Sequence, residues 1–192
     1  MRLHLVRHGP PRIDPQAPPH EWSLDGEARD AVLALASSGV LPDDVRWLSS
    51  DEPKAVQTAE MLAEEMVSSQ DVEQVPGLRE QRRPAGWIDD YAVRVHRSLV
   101  REDEPSSEGW ETSAETRQRV TGAVRDAVSS DDEAVLVGHG TAWTLLVSEL
   151  TGTPVDLVAW ERMSLPDHCV VEDGTVVSDW GAWTSGALPD AR

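Results

Sequence analysis

Two histidines set beside glycines at the ends of apolar runs carry the clearest chemical signal, in Arg7-His8-Gly9 and Gly138-His139-Gly140. Neutral imidazole is a good nucleophile near pH 7 when one ring nitrogen is free and the other is fixed as N–H. Arg7 offers a planar fork of donors matched to phosphate oxygens. Gly9 is expected to let the backbone come close to a bound anion. Alone, an Arg-His-Gly run reads more readily as a strand-end histidine over a loop. His139, between two glycines and straight after a buried strand, is harder to assign to packing. The helix that starts at Thr141 adds oriented N–H groups and partial positive charge. Two imidazoles facing one anion stabilise the charge of a phosphoryl transition state, and mutual repulsion keeps one of them neutral. The expected division is His8 as neutral nucleophile and His139 as hydrogen-bond donor.

The elements that must position these residues follow from periodicity and punctuation. Residues 2–6 are a β-branched and aliphatic run, and Pro10-Pro11 stops any helix after it. Residues 10–22 are Pro-rich and irregular. Ser23 is expected to cap a helix with Ala28, Val32, Leu35 and Ala36 on one face, ending near Gly39. Residues 45–49 give a second strand, and Ser50 is expected to cap the helix that begins around Pro53. A third strand falls at 72–75 and helices at 89–100 and 113–129. A buried strand at 134–137 precedes a helix at 141–150. Residues 169–171 and 176–178, joined through Asp173-Gly174, read as a terminal hairpin. Alternating strands and helices imply a three-layer α/β/α sandwich around a mostly parallel sheet. In such sheets ligands gather at the C-terminal strand edge, so His8, Lys54 and His139 should meet there.

Composition limits the classes of function. The 192 residues suit one domain, and 39% hydrophobic with 27% charged residues is a globular composition. No apolar stretch approaches the roughly 20 residues needed to span a bilayer, and the N-terminal run lacks a signal-peptide cleavage pattern. The single cysteine, Cys169, excludes an internal disulfide and a cysteine-based metal cluster, so a cytoplasmic protein is expected. A net charge of −18 disfavours nucleic acid and anionic membranes as partners. It also means that phosphate chemistry needs a local cluster of cations to reverse the field in one pocket.

The chain resembles the histidine phosphatase, or phosphoglycerate mutase-like, superfamily. The resemblance rests on Leu5-Val6-Arg7-His8-Gly9, Ser49-Ser50-Asp51 with Lys54-Ala55 and Gln57-Thr58-Ala59, Leu78 and Glu80 with Gly86-Trp87, Gly109 and Glu111, and Val137-Gly138-His139-Gly140. The resemblance implies a phosphohistidine at His8, phosphate contacts from Arg7, Lys54 and Gly140, and His139 completing the pocket. It makes Glu80 the general acid for the leaving alkoxide and then the base that activates water. It implies no cofactor and no metal and a small-molecule phosphate ester as partner, and the expected organisation is a single domain with a small cap over the active edge at about 77–111. Three positions depart from the family pattern. Lys54 stands where a second Arg is usual, losing the bidentate fork. Pro11 and Asp14 stand where Thr and Asn are frequent, and Asp14 would repel phosphate if it pointed inward.

Arg82 and Arg83 could meet an anionic tail of a substrate, but a solvated loop is the favoured reading of them. Trp87 and Trp110 are expected at the same entrance. His4 is expected in the core, and His20, His96 and His168 at the surface. The preferred function is metal-independent hydrolysis of a phosphomonoester. The alternatives are mutase-type phosphoryl transfer, a non-catalytic phospho-ligand binder, and a metalloenzyme using His8, His139 and a carboxylate. The oligomeric state is open.

Overall fold

The aliphatic N-terminal run forms β1, Arg2–Arg7, in a computed structural model that describes residues 1–192 except 69, 85–87, 131 and 186–192. The other strands are β2, Arg46–Ser49, β3, Val72–Gln74, β4, Glu133–Gly138, β5, Asp167–Glu172, and β6, Thr175–Ser178. Among the described residues they form one sheet in the order β3-β2-β4-β1-β5-β6. The pairs among β1, β2, β3 and β4 are parallel, and β5 and β6 add an antiparallel edge. The helices are α1, Ala28–Ala36, α2, Pro53–Glu65, α3, Tyr91–Val100, α4, Ser113–Ala127, α5, Gly140–Thr151, and α6, Leu157–Arg162.

Strand alternation separates two cores. Leu3, Leu5, Leu48 and Leu136 face one side, where Val120 and Val124 of α4 and Trp143 and Leu146 of α5 cover them. Val6, Trp47, Val135 and Val137 face the other, under Val32 and Leu35 of α1 and Ala55, Ala59 and Leu62 of α2. Both faces of the sheet are therefore covered by helices, as the near-continuous apolar runs of β1 and β4 require. A third cluster joins Val95 and Leu99 of α3 to Trp110 and Leu145. Among the described residues no helix is long and apolar enough to cross a membrane.

Two helix starts differ from the sequence reading. Helix α1 begins at Ala28 with Glu27 in the capping position, and the Asp25 carboxylate accepts the Glu27 N–H at 2.9 Å. Ser23 therefore caps nothing. Helix α2 has Glu52 as its N-cap and Pro53 in its first turn, and Ser50 is used elsewhere, as described below. A carboxylate turn at Asp25 and a fixed proline φ displace the serines that the sequence favours. His168 is also not at the surface: it is 1% exposed, on a strand covered on both faces.

Candidate active site

Strand register brings the chemistry together. Arg7 pairs with Gly138, and Val137 pairs with Ser49, so β1, β2 and β4 end level with one another. The ladder extends one residue further, with the His8 N–H donating to Gly138 O and the Ser50 N–H donating to Val137 O, each at 3.0 Å. His8, Ser50 and His139 thus leave the sheet at a single edge. The rings of His8 and His139 lie 5.2 Å apart, inclined at 63°.

Each ring has one committed nitrogen. His8 Nδ1 lies 2.7 Å from Gly9 O. A carbonyl can only accept, so Nδ1 carries the proton and Nε2 keeps its lone pair. His139 Nε2 shares a 2.7 Å hydrogen bond with Ser50 Oγ, while its Nδ1 is buried without a protein partner. Burial pushes the His8 imidazole well below its ordinary value, and His139, Lys54 and Arg7 push the same way against the Gly9 carbonyl. His139 is lowered just as strongly, by burial first and then by the charges of Lys54, Arg119 and Arg7. Both rings are therefore neutral near pH 7.

The glycines of the two motifs serve different neighbours. A Cβ at Gly138 would lie 2.5 Å from Trp143 Cζ2, so this glycine makes room for an indole and not for a ligand. Trp143 Nε1 in turn donates to Val6 O at 2.8 Å, fastening α5 to β1. A Cβ at Gly9 would meet Val32 Cγ2 at 2.8 Å and Leu24 Cδ2 at 3.2 Å, so packing, not an anion, occupies that space. A Cβ at Gly140 would meet Arg7 Nε at 3.2 Å. Arg7 Nη1 donates to Met163 O at 2.8 Å, and its buried Nε has no partner.

The start of α5 is not free for an anion in this arrangement. The Thr141 and Ala142 N–H groups donate to the Glu80 carboxylate at 3.1 and 3.0 Å, and the Gln81 N–H donates to it at 2.9 Å. Lys54 is 5% exposed and donates from Nζ to Pro19 O at 2.8 Å and to Glu52. A cavity of about 290 Å³ is lined by His8, His139 and both of these carboxylates, together with Arg7, Lys54, Arg79, Arg82 and Arg83. Five cations against two carboxylates reverse, locally, the sign of a chain whose net charge is −18. Gly140 lines the same cavity.

Several expectations change in detail. Arg82 and Arg83 both line the cavity, with Arg83 stacked 4.0 Å above the Tyr91 ring. Trp110 is buried against Val95, Leu99 and Leu145 instead, and Trp22 and Tyr91 take the aromatic places in the lining. The Gly86-Trp87 pair lies outside the described residues. Asp14 is exposed and its carboxylate accepts the Gln16 N–H at 2.9 Å, so it does not oppose an anion, whereas Pro11 lines the cavity. Among the described residues no group of three or more His, Cys, Asp and Glu side chains is arranged to hold a metal ion.

The remaining motif residues act as braces. Thr58 Oγ1 accepts the Gly9 N–H at 3.0 Å and donates to Lys54 O at 2.7 Å. Gln57 Oε1 accepts the Leu24 N–H at 2.7 Å. Arg119 of α4 pairs with Glu111 and donates to the carbonyls of Gly77, Arg79 and Glu80. Glu111 also accepts the Arg82 N–H at 2.9 Å. Glu52, Arg119, Tyr91 and Trp22 were not singled out from the sequence. Only Glu52 had a local signal, a carboxylate two residues before Lys54.

Solved structures share this architecture. Mycobacterial glucosyl-3-phosphoglycerate phosphatase complexed with VO3 is 24% identical over 89% of this chain and 92% of its own, with a TM-score of 0.68. YhfR of Bacillus stearothermophilus is 20% identical over 94% and 96%, with a TM-score of 0.71. Phosphoglycerate mutase from Bacillus anthracis str. Sterne is 17% identical over 97% and 96%, also with a TM-score of 0.71. At these identities the likeness carries the fold. No curated protein matches the chain significantly. The model of the histidine phosphatase superfamily (branch 1) matches residues 3–176, nearly the whole length, and the chain belongs to that superfamily.

Proposed function

We propose that the chain is a metal-independent phosphomonoesterase acting on a small phosphorylated metabolite through a phosphohistidine at His8. The observation that carries this reading is the commitment of His8 Nδ1–H to Gly9 O, which leaves Nε2 as a neutral nucleophile in a cationic cavity. Arg7 Nε and His139 Nδ1, both buried and unpartnered, are donors available to the phosphoryl oxygens beside the remaining Lys54 N–H. His8 Nε2 attacks phosphorus, and the N–P bond forms as the ester P–O bond breaks. Glu80 gives a proton to the leaving alkoxide. Water then attacks phosphorus and passes a proton to Glu80, and orthophosphate leaves as the N–P bond breaks.

Hydrolysis is preferred to return of the phosphoryl group because the cavity mouth has exposed rim side chains that leave water a route in. Side chains at its rim, Arg82 and His20, are 71% and 54% exposed. Its 290 Å³ sits at the lower end of small-ligand sites, which suits a metabolite. The acidic surface argues against nucleic acid and anionic membranes, and one buried free cysteine suits a reducing, cytoplasmic setting. The residues of 77–111, which contribute Glu80, Arg82, Arg83 and Tyr91, are proposed to set specificity. The test is a screen of phosphorylated metabolites with wild type and His8→Ala in parallel, with and without a strong chelator. Chelator-resistant turnover in the wild type alone is expected, and turnover undiminished in His8→Ala would remove the nucleophile assignment.

A further inference from the structure

One acidic side chain stands where the reaction above has no use for it. Glu52 is 4% exposed and lines the same cavity as His8, His139 and Lys54. Its carboxylate pairs with Lys54 Nζ, accepts the Glu80 N–H at 2.9 Å, and lies 3.6 Å from His139 Nε2. A carboxylate beside the place of an incoming anion opposes that anion. A buried charge is tolerated only when paired and hydrogen-bonded, and Glu52 meets both conditions with groups of the active site. Lys54 has three ammonium N–H groups; one is used by Pro19 O and one by Glu52, leaving one for substrate.

We infer that Glu52 is a positioning residue that limits how tightly the pocket holds phosphate, by sharing the charge of Lys54 while fastening the Glu80 backbone to the phosphate side of the cavity. This rests on reading the cavity as a phosphoryl pocket. Without Glu52, five cations would face a single carboxylate, that of Glu80, and would grip orthophosphate and slow its departure after hydrolysis. Glu52 takes one of the most buried of these cations partly out of play. Its bond to the Glu80 N–H also couples the group that binds phosphate to the loop that delivers the proton. An ion pair that served packing alone would change stability and leave phosphate affinity untouched.

The experiment is calorimetric titration of the full chain with orthophosphate, paired with steady-state kinetics on p-nitrophenyl phosphate. Glu52→Gln keeps an acceptor for the Glu80 N–H and removes the charge. Orthophosphate should bind it roughly tenfold tighter, with inhibition by product rising in parallel and kcat falling. Glu52→Ala also removes the acceptor, so its kcat should fall further than that of Glu52→Gln. The double variant Glu52→Leu, Lys54→Met removes the buried pair together and guards against misfolding of the single variants. Its orthophosphate affinity should fall well below that of Glu52→Gln, because the ammonium that Glu52 restrains leaves with it. A folded Glu52→Gln that binds orthophosphate no tighter than wild type, or a double variant that binds it as tightly as Glu52→Gln, overturns the inference. Because orthophosphate binding needs no turnover, a wild type that binds it without catalysis contradicts the catalytic reading, while the same comparison still decides this one.

Discussion

The Glu80 carboxylate caps helix α5 at Thr141, accepting that residue's N–H at 3.1 Å and the next at 3.0 Å. The group proposed to move the proton is thus held by the first turn of the helix that follows His139. Its position is fixed by backbone, and backbone donors do not rotate away.

Glu80→Gln should therefore separate chemistry from structure. Kinetics on an alkyl phosphate should show kcat lowered by about 10²–10⁴, since a poor leaving group needs the proton. On p-nitrophenyl phosphate, whose leaving group departs unprotonated, the loss should be much smaller. Equal losses on both substrates would remove the general-acid role. Thermal unfolding should report a cost of about 1 kcal/mol for the weakened cap.

Gly140 and Arg7 make a second sharp test. A methyl group at position 140 would sit 3.2 Å from Arg7 Nε and 3.4 Å from its Cζ, so the guanidinium must give way by a few tenths of an ångström. Gly140→Ala should fold normally yet raise KM and lower kcat, together by roughly 10–100-fold, because small displacements of a phosphate clamp are expensive. Steady-state kinetics with a folded variant of unchanged activity would contradict the close approach of Arg7.

The sheet and the convergence of His8 with His139 were legible in the sequence because strand periodicity and glycine-flanked histidines are local signals. The roles of the glycines were not. Gly138 answers to Trp143 and Gly9 to Val32, neighbours that only the folded chain supplies. Helix α6 left no trace in the reading, since six residues after Pro154 offer too little period to recognise. Glu52 and Arg119 escaped for a related reason. A buried charge looks like any surface charge until its partner arrives from another element, here Glu80 and His139 for one and Glu111 for the other.

His168 escaped in the same way, and it carries a prediction about pH. It shares a 3.1 Å hydrogen bond with His4 and is pushed down to about 3, by burial first and then by His4 and Arg2. Unfolded histidine titrates near 6.5. The fold prefers neutral His168, so this contribution is complete above about pH 6.5 and is lost as pH falls from there towards 3. The loss approaches about 1.4 kcal/mol per pH unit across that window. Denaturant unfolding at a series of pH values should show a steep acid decline in the wild type and a shallower one in His168→Gln. Identical slopes would mean that the histidine pair does not govern acid sensitivity.

The central claim is that phosphorus becomes bonded to His8 Nε2. Rapid acid-free quenching of the enzyme during turnover, followed by mass spectrometry of its peptides, tests it directly. The account predicts a phosphate on the peptide containing His8, lost on brief acid treatment and absent in His8→Ala. Phosphate on any other residue, or full turnover by His8→Ala, would contradict it.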